Sequence, residues 1–256
     1  MRKKPATWVQ ESVAGRISCI MPTTPSRRDF LPQAIRLFNA QDWPDKELLI
    51  IEDGAREQSV CRSLPDQKNI HCVYVDMLGT HGGKLTIGAK RNLACTLARG
   101  DIICQWDDDD YYGPQRLKRQ AEPILNGMAD VTACKMTLLL DLKQNALYSC
   151  SDSMHKALFS NDVRSGTLMY KASYWREGVC YPNSNRGEDV AFLRGLLARG
   201  ARLAQIADSE SYICVRHGKN VSDGLDYAGW KKERIEEYIP AADVAFYRRP
   251  RYSCRN

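Results

Sequence analysis

The run ELLIIED, residues 47–53, places Leu48, Leu49, Ile50 and Ile51 in unbroken succession and then turns acidic at Glu52 and Asp53. A strand with one face in water alternates apolar and polar side chains. A run that is apolar on both faces must be covered on both, as a strand inside a parallel sheet is. The signature recurs in RISCIMP (16–22), which stops at a proline, in IHCVYVD (70–76) and in DIICQW (101–106). Between the first two strands lies a helical stripe at Phe30, Leu31, Ala34, Ile35, Leu37 and Phe38. Between the last two, the loop GTHGGKLTIGAKRN enters a helix that Gly100 is expected to close as its C′ residue. Strand, helix, strand, strand, helix, strand at this spacing predicts a three-layer α/β/α domain around a mostly parallel sheet.

The second half is more mixed. A helix is expected from Pro114 to Leu125 with proline at its first position. A hairpin follows around 143–145, then strand and short helix in GTLMYKASYW, an amphipathic helix in GEDVAFLRGLLARG (187–200), and strands in ARLAQIAD and SYICVRHG. Residues 226–238 are expected to be helical. With no repeat, low-complexity tract or evident linker, the chain divides into an N-terminal extension (1–15), one domain (16–224, its halves meeting near 110) and a C-terminal helical tail (225–256).

Composition enters mainly by exclusion. The 256 residues are 43% apolar and 27% charged with a net charge of +6, which is ordinary for a globular protein. No arginine-rich tract interleaves with aromatics, so nucleic acid is not an expected partner. No run reaches the ~20 apolar residues that span a bilayer, and the charged, polar N-terminus lacks a signal-peptide core. The ten cysteines are scattered with no C-x-x-C spacing, so reduced core thiols and a cytoplasmic location are expected.

Four carboxylates, Asp107 to Asp110, follow the fourth strand directly. Ligands of open α/β sheets bind beyond the carboxyl ends of the strands, and clustered carboxylates there need a cation. Mg²⁺ or Mn²⁺ sharing its shell with substrate phosphates is the natural partner; a solvated turn that caps the next helix is the alternative. An EF-hand starting at Asp108 would need a glutamate where Arg119 stands, and Leu78 and Leu85 break a P-loop around GGK. Further on, Glu188 and Asp189 read, on their own, as first-turn acids complementing a helix dipole.

The ordered set CIMPTTPSR, ELLIIEDGA, GAKRNLACTLARGDIICQWDDDDYYGPQRL and GEDVAFLRGLLARG resembles the family 2 glycosyltransferases of the A-type fold, from about Ile17 to His217. The resemblance implies the nucleotide-diphospho-sugar transferase fold and an inverting enzyme of hexosyl- or N-acetylhexosaminyltransferase type. It would use a nucleotide-sugar donor, most often a UDP-sugar, with Mn²⁺ or Mg²⁺, and act on a glycan or lipid-linked glycan of the cell envelope. It makes Asp107–Asp109 the Asp-x-Asp motif, with Asp109 on the metal and Asp107 or Asp108 on ribose or metal. Pro22, Thr23, Thr24 and Asp53 would line the nucleoside pocket, and Arg91 would approach base or diphosphate. Asp189 becomes the base and Glu188 orients sugar hydroxyls. His217 is read either as completing the metal shell or as a polar surface group, and Arg216 and Lys219 as balancing phosphate charge. The family commonly has two aspartates before Gly-Ser where this chain has Glu52, Asp53, Gly54 and Ala55. His71, His81 and His155 are read as structural, and Tyr174 and Trp175 as either acceptor contacts or core. The rival readings are a sugar-nucleotide pyrophosphorylase, which expects a glycine-rich loop where MPTTPSRRDF stands, and a non-catalytic sugar-nucleotide-binding module. The tail mixes charges of both signs, which favours packing on the domain over peripheral contact with an anionic membrane.

Overall fold

The computed structural model describes residues 13–249 except 55, 63, 65–66, 77–83, 219 and 221–226. The expectations for His81, for Lys219, for the extension up to residue 12 and for the tail beyond 249 lie outside the described residues. The elements are β1 (Val13–Thr23), α1 (Leu31–Asn39), β2 (Lys46–Asp53), β3 (Ile70–Val75), α2 (Ile87–Leu97), β4 (Gly100–Gln105), β5 (Tyr111–Tyr112), α3 (Arg116–Leu125), β6 (Val131–Cys134), β7 (Leu138–Asp141) and β8 (Ala146–Ser149). They continue with α4 (Asp152–Leu158), β9 (Met169–Lys171), α5 (Ala172–Arg176), α6 (Glu188–Ala198), β10 (Leu203–Ile206), β11 (Tyr212–Arg216), β12 (Lys231–Glu233) and α7 (Ala241–Tyr247).

Seven strands form the central sheet in the order β10-β6-β9-β4-β1-β2-β3. Its pairs are parallel except where β9 runs antiparallel to β4 and β6. A second sheet, β12-β8-β7-β11-β5, carries the mixed pairing of the second half. Strand alternation divides the apolar runs between two cores. Ile17, Cys19, Met21, Leu48 and Ile50 pack with α1 and α3 on one face, while Ile20, Leu49, Ile51 and Ile103 pack with α2 and α6 on the other. Leu48 to Ile51 are each at most 2% exposed, contributing about 1.5–3 kcal/mol apiece. The doubly buried strand read from ELLIIED is the strand observed.

Several readings shift. Gly100 does not close α2, which ends at Leu97, but opens β4, where a Cβ would lie 2.5 Å from the Arg16 carbonyl oxygen; it is glycine because β1 passes too close for a side chain. The C′ role belongs to Gly200 after α6, at φ 82°, whose N–H bonds the Leu197 carbonyl. Helix α3 starts at Arg116, past Pro114. Lys231–Glu233 is a strand on β8 rather than part of a helix, because Ser149 and Glu233 pair across it at 2.8 Å. The tail's helix comes later, as α7, and docks on α1 through Gln33 Nε2 to Asp243 Oδ1 at 2.7 Å. Cys61 and Cys72 form a disulfide, contrary to the all-reduced expectation: the chain after β2 folds back on β3, a proximity that cysteine spacing does not encode. Among the described residues no helix is long and apolar enough to cross a membrane.

Candidate functional site

The aspartates are held by an aromatic clamp. After β4, Trp106 is fully buried beneath Tyr112, ring centroids 4.2 Å apart. The buried Arg116 lies over both rings and donates to the Gln105 carbonyl at 2.7 Å. Asp107 N–H donates to the Tyr112 hydroxyl at 2.8 Å. The backbone leaving the strand is thus fixed from below, and the carboxylates extend from a rigid edge.

Each carboxylate meets different partners. Asp107 pairs with Arg91 at 3.0 Å. Asp108 accepts from Thr23 Oγ1 at 2.7 Å and from Arg27 Nε at 2.7 and 3.0 Å. Asp109 Oδ2 takes Arg27 Nη2, His217 Nε2 at 3.0 Å and Asn220 Nδ2 at 3.1 Å. Asp110 turns back to β11, accepting from Tyr212 Oη and Val215 N–H at 2.9 Å each. Burial works against the charge of Asp109, yet Arg27 and His217 hold its carboxyl well below the usual range. Burial, with Asp109 and Asp107 close by, pushes Asp110 up to about 8. Asp110 is therefore tied to β11, while the other three carboxylates pair with Arg91 and Arg27.

The cleft has a volume of about 870 Å³ and is lined by Pro22, Thr23, Thr24, Arg27, Arg91, the tetrad, Arg164, Glu188, Asp189 and His217, among others. Its far wall is the first turn of α6, where Glu188 is buried and pairs with Arg91 at 3.2 Å. Arg91, itself 3% exposed, therefore braces Asp107 and Glu188 together. Asp189 uses Oδ1 to accept from its own helix, Val190 N–H at 2.8 Å. Its Oδ2 accepts no hydrogen bond among the described residues and points across Gly166. A Cβ placed on Gly166 would lie 3.5 Å from Asp107 Oδ2, 3.7 Å from Asp189 Oδ2 and 3.8 Å from Arg164 Nε. Carboxylates from two distant stretches of chain thus meet across a position without a side chain.

The structure brings nearly all the sequence-derived candidates to this cleft. Asp53 is set apart: it is fully buried, pairs with Lys90 at 2.5 Å and accepts from Leu85 N–H at 2.5 Å. Glu52 holds the Ser59–Cys61 turn through Ser59 Oγ at 2.6 Å and Val60 N–H at 3.0 Å. His71 accepts from Arg99 at 2.6 Å, and His155 is buried between Met136 N–H and Asp162 at 2.9 and 2.7 Å. Trp175 donates to Asn92 at 3.0 Å. Sequence reasoning missed Arg27, Arg164 and Asn220. Arg27 stood in the quoted CIMPTTPSR, but nothing in the letters distinguishes it from Arg28.

Among the described residues no three His, Cys, Asp or Glu side chains converge as a complete metal shell. The donor chemistry nonetheless fits a hard divalent cation. Asp109 Oδ2 and His217 Nε2 face each other at 3.0 Å in the cleft, and Mg²⁺-type sites use one or two carboxylates and leave the remaining positions to substrate phosphates and water.

Residues 18–138 match the family model described as Glycosyl transferase family 2. The poly(ribitol-phosphate) beta-N-acetylglucosaminyltransferase TarS of Staphylococcus aureus (strains Mu50 / ATCC 700699 and MW2) is 24% identical over 221 residues, covering 81% of this chain. This chain spans 37% of the length of those relatives. Among solved structures, S. aureus TarS 1-349 in complex with UDP-GlcNAc superposes with a TM-score of 0.62 at 19% identity, covering 83% of this chain and 60% of that one. The same fragment in complex with UDP gives 0.58 at 20% identity, covering 78% and 60%. The fold is that of these transferases.

Proposed function

We propose, from the match of residues 18–138 to the Glycosyl transferase family 2 model, that the protein transfers a sugar from a UDP-sugar, UDP-GlcNAc being the first candidate, to a hydroxyl of a glycan or lipid-linked glycan with inversion at the anomeric carbon. The observation that carries this reading is the meeting of Asp107 and Asp189 across Gly166: one wall suits a nucleotide diphosphate and the other holds an unengaged carboxylate oxygen.

In this reading Pro22, Thr23 and Thr24 border the nucleoside, Asp107 and Asp108 the ribose or metal, and Asp53 anchors Lys90 behind them. Asp109 and His217 would hold Mn²⁺ or Mg²⁺, which when bound neutralises charge on the diphosphate. Asp189 Oδ2 accepts the proton of the acceptor hydroxyl. The acceptor oxygen forms its bond to the anomeric carbon from the face opposite the diphosphate, the bond to the phosphate oxygen breaks, and UDP carries away that electron pair. Glu188, braced by Arg91, orients sugar hydroxyls. TarS, by its name, acts on poly(ribitol-phosphate); a polyol-phosphate or other envelope glycan is accordingly the acceptor class to try first.

Calorimetric titration of UDP and UDP-GlcNAc with and without Mn²⁺ tests the reading. Binding of both nucleotides, strengthened by Mn²⁺ and lost in Asp109→Ala, is expected. Absence of binding to either nucleotide with the metal present would refute it.

A further inference from the structure

We propose that Arg27 is a transferable counter-cation: it covers Asp109 until a divalent cation arrives and then, still anchored on Asp108, turns its free edge to the donor diphosphate. The inference rests on the nucleotide-sugar reading and goes beyond it, since neither the resemblance nor the comparisons give Arg27 a role.

Asp109 Oδ2 receives Arg27 Nη2, His217 Nε2 and Asn220 Nδ2 together. A carboxylate oxygen offers about two lone-pair positions, so a metal ion reaches it only when a donor withdraws. His217 and Asn220 each carry an acceptor atom that can face a cation once the side chain turns, whereas a guanidinium has no acceptor and repels a cation. For an ion that binds through Oδ2, Arg27 is therefore the group that moves.

It has somewhere to go. Its Nε–H is shared between the two oxygens of Asp108 at 2.7 and 3.0 Å, which supplies a pivot independent of Asp109. Its Nη1 has no hydrogen-bond partner among the described residues, and the side chain lines the cleft at 22% exposure. Phe30 lies beneath both Arg27, 5.6 Å from guanidinium carbon to ring centroid, and His217, centroids 4.6 Å apart. The guanidinium can thus swing over one apolar platform without leaving it. Charge bookkeeping agrees: a divalent ion on Asp109 leaves the guanidinium in excess until an anion joins it, and a diphosphate matches the planar fork.

The test measures binding rather than turnover. Mn²⁺ alone is titrated by the loss of the free-ion EPR signal, and UDP is titrated calorimetrically at saturating Mn²⁺, for wild type, Arg27→Gln and Arg27→Lys. In Arg27→Gln, Mn²⁺ alone is expected to bind about tenfold tighter and UDP about tenfold weaker, each the worth of one charge-assisted contact. Arg27→Lys keeps the charge and loses the fork, so Mn²⁺ affinity should stay near wild type while UDP still weakens. Both affinities falling together, or neither moving, would overturn the assignment while the donor reading stands. A wild type that binds neither Mn²⁺ nor UDP would overturn both.

Discussion

The same strands end in carboxylates at both edges of the central sheet, and the two edges treat them differently. At the edge where β2 begins, Glu47 is 1% exposed and its two oxygens accept from Ser18 Oγ at 2.6 Å, Arg99 N–H at 2.8 Å and Arg99 Nε at 3.1 Å. Its donors come from the neighbouring strand β1 and from the turn before β4. At the opposite edge, Asp107 to Asp109 draw arginines from separate elements, share them, and leave Arg27 Nη1, Arg164 Nε and Asp189 Oδ2 without hydrogen-bond partners among the described residues. A saturated carboxylate is a structural device; an edge with donors and acceptors left over awaits a ligand.

This contrast yields measurable consequences. The largest is expected at the open edge: Asp189→Asn should keep UDP affinity and lower the transfer rate by about 100- to 10,000-fold, the range for removing a general base. UDP-release assays run beside calorimetry would check it, and normal transfer would move the base elsewhere. At the closed edge, Glu47→Ala should cost about 2–3 kcal/mol, because Arg99 and Ser18 lose a charged partner, and so lower Tm by roughly 5–10 °C. UDP affinity should not change; a variant of normal stability but impaired binding would erase the distinction between the edges. The smallest effect is expected inside the tetrad itself. Asp110 behaves as a closed-edge carboxyl, and asparagine can still accept from Val215 N–H and bond Tyr212. Asp110→Asn should therefore stay within about 1 kcal/mol of wild type by denaturant titration and keep its response to Mn²⁺. Loss of that response would add Asp110 to the ligand-facing set.

Much of this was legible in the letters for specific reasons. The apolar run 48–51 can only be a doubly covered strand, and the run of aspartates after 101–106 lands where α/β sheets bind ligands. The GED segment needed the family resemblance, since by itself it reads as first-turn acids. Arg91 was placed in the site from the letters, but its contacts with Asp107 and Glu188 were not legible there, since they depend on how α2 and α6 pack. Gly100 misled because a glycine after a helix has two possible causes, positive φ and close approach, and only the backbone of β1 distinguishes them. In the described part of the 226–238 segment the helix gives way to a strand, Lys231–Glu233, paired with β8, followed by a single 3₁₀ turn at Ile235–Glu237.

The sequence by itself determined the layered α/β architecture, the acidic edge and the residue types gathered there, because periodicity and strand ends are local properties of the chain. Only the tertiary structure decided which carboxylates are saturated and which are left open, that Arg27 rather than Arg28 covers Asp109, and that Asp189 meets Asp107 across Gly166. Those outcomes depend on distances between segments far apart along the chain, and pairwise electrostatics and hydrogen bonding act only once folding has set those distances.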